Sequence, residues 1–252
     1  MDIKLAGQAI LITGAGHGIG RATARQLAAD GAIVGINDLK QEFVDEAVAE
    51  VTAAGGRAIG IMQDISTQQG MQQGIDRFAQ AAGRFDGLVN NAAWVRYQAL
   101  PDIQPETVDR MLNTGFKAII WGMAAAAAAM DAQRGGAIVN VASTAGFRSA
   151  TNSVVYSGIK AGVMGMTRAA AAELGAKHIR VNAVAPSAVP TEGTAKHRSA
   201  ERDAKRIERT PLGRLGTVED IASVIVFLLG DGARFMTGEI VTVDGGITPA
   251  NL

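Results

Sequence analysis

Thr13-Gly14-Ala15-Gly16-His17-Gly18-Ile19-Gly20 is the stretch that decides how this chain folds. The apolar run Ala9–Ile12 precedes it, and a stretch of helical character, Gly20–Asp30, follows. Glycines accept positive φ and let a backbone approach a ligand closely. A strand, a glycine turn and a helix start, in that order, aim backbone N–H groups and the positive end of a helix at one point, which suits a pyrophosphate. The spacing that fits is G-x-x-x-G-x-G over Gly14, Gly18 and Gly20; the narrower G-x-G-x-x-G fails at Ile19. A glycine-rich loop alone also makes a plain tight turn. Its place between first strand and first helix favours the phosphate reading.

Similar apolar runs recur at Ile33–Ile36, Ala58–Ile61, Leu88–Val89, Ala137–Val141, Ile179–Val184 and Ile240–Val243. Most are continuous rather than alternating, as in strands buried on both faces of a parallel sheet. Helical stretches separate them: Glu42–Ala54, Met71–Ala82, Thr107–Asp131, Val154–Ala176 and Val218–Leu229. This alternation predicts a Rossmann-like, doubly wound α/β fold of about seven parallel strands flanked by helices, with residues 1–252 as a single domain. Residues 187–214 read as an irregular, charged excursion. Because it leaves the carboxyl end of a strand, where open α/β sheets bind ligands, it is expected to be a substrate lid rather than a plain surface loop. Ala124–Ala129 is a run of six alanines, which favours a helix and permits close approach of a second one.

The second strand should end at Asn37-Asp38. A carboxylate there accepts hydrogen bonds from both adenosine ribose hydroxyls and repels a 2′-phosphate, which predicts NAD over NADP. Leu39 belongs to the same cofactor-facing turn. An N-cap role for Asp38 is compatible with this one. His17, if protonated, would lean the other way, toward a phosphate.

Tyr156-Ser157-Gly158-Ile159-Lys160 lies in a helical stretch, so Tyr156 and Lys160 share one face about 6 Å apart. A neighbouring ammonium lowers a phenol from its usual value of about 10. The phenol could then trade a proton with a substrate oxygen near neutral pH. Ser143 follows the strand Ala137–Val141, at the edge where catalytic groups gather, and can donate to a carbonyl as charge develops on it. Each signal has a plain counterpart: a surface Tyr–Lys contact, or a serine in a turn. Arg96 and Arg148 flank these motifs. Each could hold an anionic substrate group, though solvated surface arginines are the commoner case.

Taken in order, the motifs resemble those of the short-chain dehydrogenases/reductases over essentially the whole chain. They are Thr13-Gly14-x-x-x-Gly18-x-Gly20, Asp38, Asp64-Ile65, Asn90-Asn91-Ala92, Asn113, Ser143, Tyr156-x-x-x-Lys160, Asn182-x-Val-x-Pro186-x-x-Val189-x-Thr191, and Thr237-Gly238 with Val243-Asp244-Gly245-Gly246. The resemblance implies that Asp64 and Ile65 contact adenine. It places Asn90, Asn91 and Ala92 beside the adenosine ribose. Asn113 would hold a water in a proton relay from Lys160, which would also bond the nicotinamide ribose. Pro186, Val189 and Thr191 would cover the nicotinamide. It also implies a homotetramer or homodimer, with the alanine-rich helix at a seam. Two positions depart from the family pattern: Ala93 and Ser187 stand where glycine is usual.

The composition narrows the function further. Twenty-four basic and twenty-four acidic side chains give no field for nucleic acid. There are no cysteines, hence no disulfides or thiolates, and the three histidines His17, His178 and His197 show no metal-ligand spacing. No apolar stretch is long enough for a membrane span, and Met1–Gln8 is too short and polar for a signal peptide, so a cytoplasmic protein is expected. The expected activity is hydride transfer between NAD(H) and a secondary alcohol or ketone, with Asn113, Ser143, Tyr156 and Lys160 as catalytic residues. The alternatives are an NADPH-dependent 3-oxoacyl thioester reductase, which Asp38 opposes, and a non-catalytic nicotinamide-sensing protein, which four intact catalytic residues oppose.

Overall fold

The computed structural model describes residues 5–149, 151–193 and 199–249. Seven strands form one parallel sheet: β1 (Ala9–Thr13), β2 (Ile33–Asp38), β3 (Arg57–Met62), β4 (Gly87–Asn90), β5 (Gly136–Val141), β6 (Ile179–Pro186) and β7 (Ile240–Val243). Their spatial order is β3-β2-β1-β4-β5-β6-β7. The order reverses between β1 and β4, which leaves a crevice beyond their carboxyl ends. β1, β2 and β4 are buried throughout, whereas the edge strands β3 and β7 are partly exposed. Continuous apolar runs therefore mark the sheet centre, as expected for strands covered on both faces.

Two cores sandwich the sheet, and alternate residues of each strand feed them. Ala9 and Leu11 join the core of α3 (Gln68–Ala82), α5 (Ala118–Ala129) and α6 (Val154–Leu174). Ile10 and Ile12 join the core of α1 (Gly18–Ala29), α2 (Gln41–Ala53) and α8 (Val218–Leu229). A buried polar chain crosses the first core. Asn90 Nδ2 donates to Asn140 Oδ1 at 2.9 Å, and Asn140 Nδ2 donates to Thr167 Oγ1 at 3.0 Å. It pins α6 to the ends of β4 and β5.

The single helix expected over 107–131 is divided. α4 (Pro105–Leu112) passes into a π-helical turn, Asn113–Lys117, before α5 begins. Such a turn widens the helix by inserting a residue, and it is often found at functional sites. Within the alanine run, Ala125 and Ala126 are buried in the first core while Ala124 and Ala128 stay exposed.

The segment 187–214 is less irregular than its sequence suggests. It contains α7 (Ala200–Glu208), capped by Ser199, whose hydroxyl accepts from Arg202 N, and braced by a Lys205–Glu201 pair at 2.7 Å. This helix has almost no apolar stripe, so periodicity could not reveal it. Residues 194–198 of the expected lid, including His197, lie outside the described residues.

Candidate active site

The glycine turn is locked to the end of β4. Thr13 Oγ1 donates to Val89 O and accepts from the backbone N–H groups of Asn91 and Ala92 at 3.0 and 3.1 Å. Asn91 Nδ2 returns bonds to the carbonyls of Thr13 and Gly14. Gly14 has φ +62, and a Cβ there would lie 2.9 Å from Ala92 Cα, so only glycine fits. No side chain caps the start of α1, leaving the first-turn N–H groups of Gly18, Ile19 and Gly20 for a ligand. An uncapped helix start behind a glycine cradle fits a dinucleotide pyrophosphate.

Asp38 ends β2 with its carboxylate turned toward this cradle. It accepts from Gly16 N at 3.2 Å and from Leu39 N at 2.8 Å. His17 Nδ1 stands 3.8 Å from Asp38 Oδ2, and the His17 ring packs against Phe43. The residue expected to favour NAD and the one expected to lean toward a phosphate thus meet at one point. A cavity of about 520 Å³ opens on the outer side of the loop, beside Gly18, Arg21, Thr191 and Glu192. None of Ser143, Tyr156 and Lys160 lines it, so its size says nothing about the chemistry.

Ser143 lies two residues beyond β5 and is buried. Its hydroxyl accepts from Ala145 N at 3.1 Å and is near enough to the Tyr156 phenol to favour its ionised form. Pro186 O, at the end of β6, lies 3.5 Å from Ser143 Oγ. Tyr156 is on the first turn of α6, and Lys160 follows one turn later. The Lys160 ammonium is 4% exposed and donates to Val141 O at 2.6 Å. It lies 5.8 Å from the Tyr156 ring centroid.

The electrostatics correct one expectation. In the protein alone, Lys160 does not lower the Tyr156 phenol. Burial pushes that phenol up to about 12, Tyr97 adds to the rise, and the nearby Ser143 hydroxyl opposes it. Desolvation pushes Lys160 down to about 8. The ammonium turns to a backbone carbonyl instead of the phenol, so the i, i+4 pair shares a face without a direct bond.

The other expected residues are differently placed. Pro186 ends β6, Val189 and Thr191 follow it, and a Cβ on Gly18 would meet Thr191 Cγ2 at 3.3 Å, so this segment borders the glycine turn. Ile65 is buried in the first core, Asp64 is exposed with its carboxylate accepting from Ser66 N, and Leu39 is 59% exposed. Asn113 opens the π turn and accepts from Lys117 Nζ at 3.0 Å. The Asn90 side chain turns inward to Asn140, which leaves only its backbone for the cofactor side. Arg148 is exposed, as a surface arginine should be, and its Nη1 donates to the carbonyls of Ile247 and Thr248.

Sequence reasoning missed Tyr97. Its ring meets the Tyr156 ring edge-on at 5.6 Å. Burial raises its phenol, against the pull of Arg206 and Arg202 on α7, which places that helix's charge near the site. A usable signal existed: these are the chain's only two tyrosines, and Tyr97 follows β4 at the carboxyl edge.

The comparisons with known proteins agree with this architecture. A family model described as enoyl-(acyl carrier protein) reductase matches residues 14–248. The chain is 36% identical over 245 residues to a 3-oxoacyl-(acyl-carrier-protein) reductase of Thermotoga maritima, covering 97% of this chain and 99% of that one. It is 35% identical over 249 residues to a cyclohexanol dehydrogenase of an Acinetobacter species, covering 98% of each. Among solved structures, a short-chain type dehydrogenase/reductase from Mycobacterium marinum superposes with a TM-score of 0.92 at 31% identity, covering 98% of both chains. The chain belongs to the short-chain dehydrogenase/reductase family of oxidoreductases, which use nicotinamide cofactors.

The buried Lys160 makes a stability prediction. Between about 8 and its ordinary 10.5 the folded protein has released a proton that the unfolded chain still holds, so stability rises with pH across that window. A Lys160→Met variant lacks this rise. Urea unfolding should show wild type gaining about 3 kcal/mol on the variant over that window. Parallel pH curves for the two proteins would contradict the buried, charged lysine.

Proposed function

We propose that the protein is an NAD(H)-dependent oxidoreductase that moves hydride between nicotinamide and a secondary alcohol or ketone, with Tyr156 as acid and base. The observation that carries this reading is the placing of Ser143, just past β5, and Tyr156, on the first turn of α6, at the carboxyl edge of the sheet, with a buried Lys160 one helical turn on. The bound cofactor supplies the hydride acceptor or donor and, when oxidised, a positive charge. Ser143 orients the substrate oxygen. A phenol held near 12 is fully protonated at neutral pH, so the protein alone is set to donate a proton to a nascent alkoxide. Oxidation of an alcohol requires the reverse transfer, and the cofactor's charge favours it. Lys160 would hold the nicotinamide ribose, and Asn113 would complete a relay through water.

Asp38 supports NAD over NADP, because its carboxylate, turned toward the glycine cradle, would repel a 2′-phosphate. The Thermotoga relative, a 3-oxoacyl-(acyl-carrier-protein) reductase, supports a second reading in which the substrate is an acyl thioester. The cyclohexanol dehydrogenase supports the simpler alcohol. A panel of secondary alcohols and of 3-oxoacyl thioesters separates them. On the exposed face of α5, Ile120, Ala124 and Ala128 recur every four residues and suit packing against a second copy, in a homodimer or homotetramer.

Two variants test the reading. Tyr156→Phe should still bind NADH while kcat falls by about 10²–10⁴-fold, the span of general acid–base catalysis. Turnover at the wild-type rate would remove Tyr156 from the mechanism. Asp38→Asn keeps an acceptor for Gly16 N but loses the charge. Its preference for NADPH relative to NADH, measured as kcat/KM, should rise about ten-fold. An unchanged ratio would show that Asp38 does not select the cofactor.

A further inference from the structure

Arg148 lies five residues past Ser143, in the turn that leaves β5. The residue is exposed, yet its guanidinium is tied to the chain on one side. Nη1 donates to the carbonyls of both Ile247 and Thr248 at 3.1 Å. The C-terminal turn it grips is itself tightly built. Asp244 accepts from Gly246 N and Thr248 N, each at 2.8 Å. The same turn meets the trailing end of the lid segment. Leu212 N donates to Gly245 O at 3.1 Å, and a Cβ on Gly245 would lie 2.6 Å from Thr210 Cγ2. It also follows directly on β7, where Ser187 N donates to Val243 O at 3.3 Å, so the leading end of the lid segment is held from the same place.

We propose that Arg148 is a positioning residue: it clamps the C-terminal turn, residues 244–249, to the loop that carries Ser143, and so steadies the backbone at Ser187 and Leu212, which that turn and β7 hold. The proposal rests on the reading of Ser143 and Tyr156 as the substrate-facing pair. Arg148 touches neither of them and acts through the turn. A cation bonded to two carbonyls makes stronger hydrogen bonds than a neutral donor. The clamp also joins three segments distant in sequence, at Arg148, Leu212 and Thr248, into one wall. Loss of it should loosen substrate placement and leave the glycine cradle, on the other side of the sheet's switch point, untouched.

The test compares Arg148→Met and Arg148→Lys with wild type, all in the intact chain. For whichever ketone wild type reduces, Arg148→Met should raise KM about ten-fold, with kcat and NADH affinity changed less than about two-fold. Arg148→Lys keeps a charged donor and should recover most of the loss. Asp244→Ala, which frees the turn from its other side, should raise KM similarly. The Arg148→Met/Asp244→Ala pair should then be clearly less than additive. Hydrogen exchange supplies a readout that needs no turnover. The Leu212 and Thr248 amides should exchange at least about ten-fold faster in Arg148→Met, while those of β1 and β4 keep wild-type protection. An unchanged KM together with unchanged exchange at these two amides would overturn the proposal. So would a uniform fall of thermal stability, NADH affinity and kcat, which would mark Arg148 as a general fold contact. If wild type reduced no ketone, the functional reading would fail while the exchange result still decided the clamp.

Discussion

One buried charge organises the catalytic side of this molecule. The Lys160 ammonium enters the protein interior and bonds the carbonyl of Val141, the last residue of β5. That bond joins the first turns of α6 to the strand end from which Ser143 emerges. Desolvating an ammonium is costly, and the depressed proton affinity of Lys160 records the cost. In return the Tyr156 ring has a fixed place: Ser143 at its hydroxyl and Tyr97 against its edge. The chain Asn90–Asn140–Thr167 reinforces the same joint deeper in the core.

The cofactor side is built on another principle. There the backbone does the binding, and side chains only shape it. Thr13 and Asn91 fasten the glycine turn to the end of β4, so its amide groups are preorganised before any ligand arrives. Asp38 adds a fixed negative charge at the adenosine end. The two halves meet at the switch point between β1 and β4, which lets one sheet present a rigid anion cradle and a proton-handling pair along a single edge.

What the sequence made legible was whatever depends on near neighbours. Continuous apolar runs gave the strands, because a strand covered on both faces needs no polar alternation. Helical spacing put Tyr156 and Lys160 on one face of α6, and the run Ala137–Val141 put Ser143 just past a strand. What stayed hidden depends on contacts between distant segments. Nothing near Lys160 announces that its partner is a carbonyl nineteen positions earlier. Nothing near Asn90 shows that its side chain faces Asn140 and not the cleft. Arg148 reads as a surface cation, and nothing near it shows the two C-terminal carbonyls it bonds. α7 escaped notice because charge pairs and a serine cap hold it, with hardly any apolar face.

The proposed chemistry requires a phenol that the folded chain keeps protonated and that a bound cation would make more acidic. In a Tyr97→Phe background, Tyr156 is the only tyrosine, so an ultraviolet difference titration reads it alone. In the protein alone it should ionise well above the ordinary value of 10.0, and saturation with NAD⁺ should move that transition down. Ionisation at the ordinary value, unmoved by NAD⁺, would show a solvated surface tyrosine and contradict the assignment.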